Sequence, residues 1–182
     1  MIEDDRTTDD DTHTAPNPNA PVYMLRTVQQ HHVQLSAMAD QKAGFLIGGM
    51  VVLLGIVVST ASRFPSPTIL ALGVTTLVVL WLAVAAVAPR TFTPDDARPN
   101  TLFFGGFAQM AEDDFIAEHL ELMRSETRIE EAMLRDIHQM GRYLAEVKFR
   151  YLGLAYRATL VGAGITIVVG LLELTGLIPS MV

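Results

Sequence analysis

The chain contains no cysteine, which excludes a disulfide framework, a thiolate nucleophile and any metal site with cysteine ligands. It also lacks a basic excess, because its net charge is −7. Six acids fall within the first eleven residues, and the remainder is close to neutral. Since phosphate backbones are bound by a clear excess of positive charge, we expect no nucleic-acid partner.

Motifs for catalysis or metal binding are missing as well. The histidines do not have the spacing of a known ligand set; they are His13, His31, His32, His119 and His138. No Walker loop or dinucleotide fingerprint is present, and the pairs Gly48-Gly49 and Gly162-x-Gly164 lie inside apolar runs, where small residues ease helix packing. The sequence therefore predicts a protein that is not an enzyme and that has no cofactor and no metal site.

The N-terminal segment, residues 1–21, does not have the basic start and adjoining apolar run of a signal peptide. It is acidic and is interrupted by Pro16, Pro18 and Pro21. This composition predicts a disordered acidic tail, and the alternative interpretation is a docking peptide for a partner.

Three long apolar stretches dominate the rest of the chain, and each is long enough to cross a bilayer. They are residues 43–62, 67–89 and 151–178. Ser66 is a suitable N-cap and Pro67 a suitable first-turn residue for the second helix. Only Arg157 and Glu173 interrupt the third stretch. The predicted fold class is all-α, with three transmembrane helices.

Basic residues predict the orientation of these spans, because Lys and Arg concentrate in cytoplasmic loops. Three precede the first span, eight lie between the second and third, and only Arg63 lies on the opposite side. We therefore expect the N-terminus and the segment between spans two and three to be cytoplasmic, and the C-terminus to be outside.

The first and third spans are predicted to extend into the cytoplasm as coiled-coil-like helices. Residues 22–42 contain no Gly or Pro, so one helix is expected from about residue 22 to 61. Its heptad positions are Leu25, Val28, His32, Leu35, Ala39, Lys42 and Leu46. A second set precedes the third span, at Met133, Ile137, Met140, Leu144, Val147, Tyr151 and Leu154. We expect the two seams to pack in parallel, within or between chains; alternatively, each packs against the middle segment.

The middle segment is predicted to be a loop over residues 90–110, followed by helix over 111–150, with one helical stretch from 111 to 138. Gly141 either marks a joint or is a tolerated glycine. The loop contains an unusual aromatic cluster, Phe103, Phe104 and Phe107. This cluster covers the helical bundle, dips into lipid headgroups or offers a stacking surface to a base.

Charged residues flank the first and third spans at similar depths. If the seams are in register, Asp40 can meet Lys148 and Lys42 can meet Glu146. Lys42 falls on the apolar seam, where a buried charge needs a partner. Such a pair could fix the register or act as a switch, whereas the simpler interpretation is that all four residues only flank the membrane.

Glu173 is the one acid inside a predicted span. It lies near the predicted outer boundary, where it either reaches the headgroups or serves as a pore-lining or proton-sensitive acid in an oligomer.

Several motifs together resemble one protein family. The run Ala37–Gly44 (AMADQKAG) resembles the approach to the first span of the Pycsar transmembrane effectors (PycTM), and Asn100–Gly105 (NTLFFG) resembles the stretch after their second span. Phe115 and Lys148–Leu152 (KFRYL) follow the family's later pattern. Order and spacing agree over about residues 25–177.

This resemblance implies a membrane effector of antiphage defence in the bacterial inner membrane. A neighbouring cyclase makes cUMP or cCMP during infection, and the effector responds by impairing the membrane, so that infection is abortive. The lipid membrane and the cyclic nucleotide are the expected partners, and we expect a homo-oligomer.

A cyclic nucleotide needs a cation for its phosphate and a surface for its base. The candidate ligand residues are Arg26, Arg124 and Arg128 for the phosphate, with Arg98 as a further cation, and Phe103, Phe104 and Phe107 for the base. Two other functions compete with this hypothesis. A constitutive small channel or transporter subunit would be active without a cyclase, and a membrane scaffold would recruit partners without causing leakage.

Overall fold

The computed structural model describes residues 19–88, 100–108 and 110–179. The acidic tail, Arg98 and most of the loop after the second span lie outside these residues. The described part is helical and contains no strand, which confirms the all-α class, and three of its helices are long and apolar enough to cross a bilayer. The helices are α1 (Ala20–Ala61), α2 (Pro67–Val87), α3 (Phe104–Phe107), α4 (Glu112–Leu122), α5 (Glu126–Tyr143), a π-helix (Leu144–Phe149) and α6 (Arg150–Leu174).

Helix α1 is continuous through the whole stretch predicted for it. Its 42 residues correspond to roughly 63 Å, about twice the thickness of a bilayer core. Pro21 lies in the first turn, where a missing N–H does no harm, and the next proline is Pro65, beyond the end of the helix. One rod thus carries both the polar stretch 20–42 and the apolar stretch that follows it.

Helix α2 begins where the capping residues predict. The hydroxyl of Ser66 accepts a hydrogen bond from the N–H of Ile69 at 3.3 Å, and Pro67 occupies the first turn. The 21 residues of α2 correspond to about 32 Å, close to the thickness of the hydrocarbon core. Because α2 packs against both α1 and α6, it lies between these two helices.

The prediction of one helical stretch from residue 111 to 138 is wrong. Met123–Ser125 form a break, and the backbone of Ser125 is extended, with φ −141° and ψ 127°. The break lets α4 fold back to contact α5, which a continuous helix could not do. We call residues 20–42 and 100–150 the head region, and the later part of α1 together with α2 and α6 the span region.

From Glu126 to Leu174 the chain forms one continuous rod of 49 residues, made of α5, the π-helix and α6. A π turn closes its hydrogen bonds from i to i+5 and so holds more residues than an α turn. In a regular α-helix Leu152 would lie about 80° around the axis from Leu144. The wider turn compensates for this rotation, and both side chains are buried.

Because of the π-helix, the predicted seam of the third helix differs from the buried face that is observed. Leu144 is buried as predicted, but beyond it the prediction is wrong, because Leu154 is exposed while Leu152 and Ala155 are buried. The extra residue in the wide turn moves the buried face by about one position, so the heptad count cannot be continued through it.

The tightest contact of the span region joins α2 to α6. Gly162 is buried against Thr75, and a β-carbon at this glycine would collide with the threonine side chain. Nearby on α2, Thr76, Val79 and Ala83 are fully buried. Small residues at a crossing point let two backbones approach closely, which is how helices gain packing contacts in a membrane.

Candidate functional site

The head and span regions meet where α1, the end of α2 and the start of α6 converge. Ala39, Ala43, Ala86 and Leu152 form a buried cluster here, which we call the three-helix junction. Three of its four members are alanines, so the backbones can lie close together. The junction is therefore the place where the head region is joined to the spans.

Lys148 and Asp40, which we call the junction pair, lie beside the three-helix junction. The Nζ of Lys148 lies 2.7 Å from each carboxylate oxygen of Asp40 and donates to the hydroxyl of Ser36 at 2.8 Å. The Lys148 side chain is 12% exposed and that of Asp40 46% exposed. Since an ammonium has three N–H donors, its hydrogen-bonding capacity is fully used here. The Asp40–Lys148 contact predicted from the register is therefore present.

The predicted contact between Lys42 and Glu146 is wrong. Lys42 is exposed, and Glu146 instead accepts hydrogen bonds from Arg142, four residues earlier, at 3.1 and 3.4 Å. The predicted seam of α1 holds only in part: two of its seven positions are buried, but Leu35 is exposed, and Ala43 is buried in place of Lys42. Small side chains allow the helices to approach on this face, and the lysine stays in solvent without a burial cost.

A second polar cluster ties the head region together around Asp136. Its two carboxylate oxygens accept hydrogen bonds from the side-chain amides of Gln29 and Asn100, each at 2.9 Å. Three segments are thereby joined: α1, α5 and the turn that follows α2. This cluster could not be predicted from the sequence, because a glutamine and an aspartate beside an apolar seam look like ordinary solvated residues.

The motif Asn100–Gly105 and the following Gly106 fold into a compact turn held by Asn100. The Asn100 side chain accepts from the N–H of Leu102 at 3.0 Å, and its carbonyl accepts from the N–H of Phe103 at 3.2 Å. A β-carbon at Gly106 would collide with that same carbonyl, so only glycine fits. Part of the family-like pattern is therefore explained by the shape of the turn.

One aromatic residue of this turn, Phe107, packs against α4. The ring of Phe107 packs against Phe115 at 5.1 Å between centroids, and Phe115 packs against His119 at 3.9 Å. Phe103 lies over Gly105. The side chain of Phe104 is outside the described part of the structure. The packing of Phe107 favours the interpretation that the cluster covers the bundle over that of a free stacking surface.

His32 lies on the buried side of α1, as expected for a histidine on the seam. Its ring lies 3.6 Å from the position of a β-carbon on Gly141, so this glycine faces α1 inside a continuous helix and is not a break. Among the described residues no hydrogen-bond partner is found for Nδ1 of His32 or Nε2 of Gln139, both of which are buried.

A cavity of about 480 Å³, which we call the head cavity, lies between the turn after α2 and helices α4 and α5. Its lining residues are Asn100, Thr101, Leu102, Glu118, Leu122, Arg128, Glu131, Ala132 and Arg135. The volume falls within the range of small-molecule sites, and two arginines and two glutamates give the lining both signs of charge.

The structure does not gather the predicted ligand residues into one place. Arg128 lines the head cavity, whereas Arg124 is 77% exposed and is not among the lining residues, although both arginines contact Glu121. Arg26 lines a separate groove of about 440 Å³ on α1 with Gln30 and Val33. Neither Phe103 nor Phe107 lines the head cavity.

Glu173 lies at the end of α6 that is far from the three-helix junction, and it has a structural partner there. Its carboxylate accepts hydrogen bonds from the backbone N–H of Thr68, at 3.3 Å, and from the Thr68 hydroxyl. Thr68 is in the first turn of α2, so Glu173 caps the N-terminus of that helix from a neighbouring one. A negative charge is favourable at such an end.

No group of three or more histidine, aspartate or glutamate side chains suited to a metal ion occurs within the described ranges. The chain matches no curated protein and no solved structure. The profile of the Pycsar effector protein domain (PycTM) matches residues 23–175, which include both the head and the span regions.

Proposed function

Because the chain belongs to the Pycsar effector protein family, we propose that cUMP or cCMP from a partner cyclase activates it to impair the inner membrane. The loss of membrane integrity would end phage infection by killing or arresting the infected cell. The match over residues 23–175 carries this proposal, since it includes the helices that could sense a ligand together with those that cross the membrane.

The proposed orientation places the head region in the cytoplasm and the turn between α1 and α2 outside. The basic residues support it, because most of them lie in or beside the head region and only Arg63 lies in that turn. A messenger made by a cytoplasmic cyclase would then reach the head region directly.

Two unbroken helical rods support a coupling of the head to the spans. Helix α1 and the rod from α5 through α6 each run from one region into the other. The junction pair holds these rods in one register, and in our proposal it is the element that changes on activation. A ligand shifts such an equilibrium only if it binds one arrangement more tightly than the other.

The surface of α1 in the head region supports a homo-oligomer. Met24, Leu35 and Met38 are exposed there and lie on one face of the helix, at spacings of eleven and three residues. Between residues 20 and 42 this helix carries only Arg26, Asp40 and Lys42 as charged residues. An exposed apolar face with so few charges is typical of a helix that a second copy covers.

The test is membrane potential in inside-out vesicles of bacterial inner membrane that contain the full chain. These vesicles expose the cytoplasmic face, so added nucleotide reaches the head region without crossing the bilayer. A potential-sensitive dye should report depolarisation after addition of cUMP or cCMP. Cyclic AMP should cause no depolarisation, and vesicles without the protein should not respond to any of the nucleotides.

The other outcomes separate the competing functions. Depolarisation without any nucleotide would favour a constitutive channel and contradict gating. A stable potential with every nucleotide, in vesicles shown to contain inserted protein, would contradict the effector proposal and favour a scaffold.

A further inference from the structure

The head cavity lies in the head region, apart from the three-helix junction, and none of the contacts described for the junction pair uses it. Its walls come from three separate segments: Asn100–Leu102, α4 and α5. Helices α4 and α5 fold against each other only because of the break at Met123–Ser125. The cavity is thus created by the very feature that the sequence pattern did not predict.

Two arginines supply cations to the cavity, and both are free to change partners. Arg128 is 54% exposed and contacts Glu121 at 2.6 Å, while Arg135 contacts Glu131 at 3.1 Å. Exposed ion pairs of this kind contribute little to stability, so exchanging them for a ligand costs little. A guanidinium presents a planar fork of donors that matches the oxygens of a phosphate.

The remaining lining offers groups for a sugar and a small base. The carboxylates of Glu118 and Glu131 can accept hydrogen bonds from a ribose hydroxyl or from an exocyclic amine. Leu102, Leu122 and Ala132 provide apolar surface for the faces of a pyrimidine ring.

The balance of charge in the lining bears on which phosphates fit. Two arginines stand against two glutamates, so the lining has no net positive charge. A cyclic phosphodiester is a monoanion and can be satisfied by one of the arginines. A nucleoside di- or triphosphate carries more negative charge than such a lining can neutralise, and burying the excess would be unfavourable.

We propose that the head cavity is the binding site for the cyclic pyrimidine nucleotide, with Arg128 as the principal contact to the cyclic phosphate. This assignment rests on the function proposed above and adds the place where the messenger binds. It also connects the cavity to α1. Asn100, which lines the cavity, contacts Asp136, and Asp136 contacts Gln29 on α1. A ligand held between α4 and α5 would act on both rods at once.

Direct binding to the full chain in lipid nanodiscs tests the assignment, with radiolabelled cUMP and cCMP measured by equilibrium dialysis. Arg128→Ala should weaken binding roughly 10- to 100-fold, the range expected when a charge-assisted hydrogen bond is lost. Arg124→Ala is the matched control, because it removes a contact to the same Glu121 without touching the cavity. It should leave the affinity unchanged.

A second variant keeps the test valid if Arg128→Ala does not fold. Ala132→Phe places a ring in the cavity without changing any charge, and it should abolish binding while circular dichroism shows normal helix content. If a nucleotide binds to the wild type and neither variant weakens that binding, the proposed location of the site is wrong, but the proposed effector function is not contradicted. If the wild-type protein binds neither nucleotide, the proposed activation by cUMP or cCMP is itself wrong.

Discussion

The rod formed by α5, the π-helix and α6 is attached to its neighbours by an ionisable side chain near each end of the span region. Near the head, Lys148 contacts Asp40 and Ser36 on α1. At the far end, Glu173 caps α2 through Thr68. The first contact joins two opposite charges, and the second joins a carboxylate to the N-terminus of a helix.

The different partners indicate which helices move together. Helix α6 is fixed to α2 at the far end by Glu173 and along its length by the close contact of Gly162 with Thr75. Near the head, the rod is joined to α1 by the junction pair and the hydrogen bond between Gln29 and Asp136. We therefore expect α2 and α6 to move as one unit. Helix α1 is also closely packed at the three-helix junction, so we expect only its polar contacts in the head region to change when it shifts. Polar contacts can exchange partners, whereas a close-packed crossing cannot yield without losing its packing.

The largest effect is expected from enlarging the α2–α6 crossing. Gly162→Leu would force a side chain into Thr75 and should lower the free energy of unfolding by roughly 3 kcal/mol, because a close-packed contact cannot absorb the added volume. Thermal unfolding in detergent, followed by the fluorescence of Trp81, measures this loss.

Gly164→Leu is the matched control for this variant, since among the described residues no atom beyond the local helix backbone lies within 4 Å of the position of a β-carbon on Gly164. It should leave the unfolding temperature unchanged or slightly raised, because leucine favours helix more than glycine does. Equal losses in both variants would show that the crossing is not what holds α2 to α6.

An unequal effect is expected from the two halves of the junction pair. Asp40→Ala leaves the nearly buried ammonium of Lys148 with only Ser36, and should lower the free energy of unfolding by about 2 kcal/mol. Lys148→Met fills the same volume and leaves only a half-exposed carboxylate, so its cost should be well under half as large. Chemical denaturation of both variants in mixed micelles measures the difference.

Glu146→Gln serves as the control for this comparison. Glu146 contacts Arg142 on the same helix, and both side chains are about half exposed. Its loss should change the free energy of unfolding by less than about 0.5 kcal/mol. If Glu146→Gln destabilises the protein as much as Asp40→Ala does, the junction pair has no special role.

A smaller effect is expected at the far end. Glu173→Ala removes the cap from α2 and should cost about 1 kcal/mol, while Glu173→Gln keeps an acceptor oxygen and should cost less. Because the carboxylate serves as a cap, we expect the ion conductance of the activated protein in planar bilayers to be the same for Glu173→Gln and wild type. An altered ion selectivity would instead favour the pore-lining hypothesis.

Much of the span region could be predicted because it depends on local properties. The length of the uncharged runs fixes the number of helices that can cross a bilayer, and Ser66 and Pro67 start α2 by a hydrogen bond and a backbone angle within a few residues. The continuity of the polar part of α1 likewise follows from the absence of Gly and Pro over residues 22–42.

The candidate sites could be predicted only in part. Counting residues from each span brought Asp40 and Lys148 to the same depth, and the contact is present. The same count placed Lys42 on the buried face and was wrong, because which side of α1 is buried depends on the helices packed against it. The head cavity was beyond such counting, since it depends on the fold of α4 against α5 at Met123–Ser125.

The sequence by itself determined that this is a three-span helical membrane protein with long polar extensions, because hydropathy, charge and capping act through neighbouring residues. Only the tertiary structure decided where the buried faces lie. The π-helix at Leu144–Phe149 moves the buried face of the third helix by about one position, and the alanines of the three-helix junction select the face of α1. Which face is buried depends on how closely separate helices can approach each other. This closeness is a property of two surfaces that are distant in sequence, and the periodicity of a single helix does not determine it.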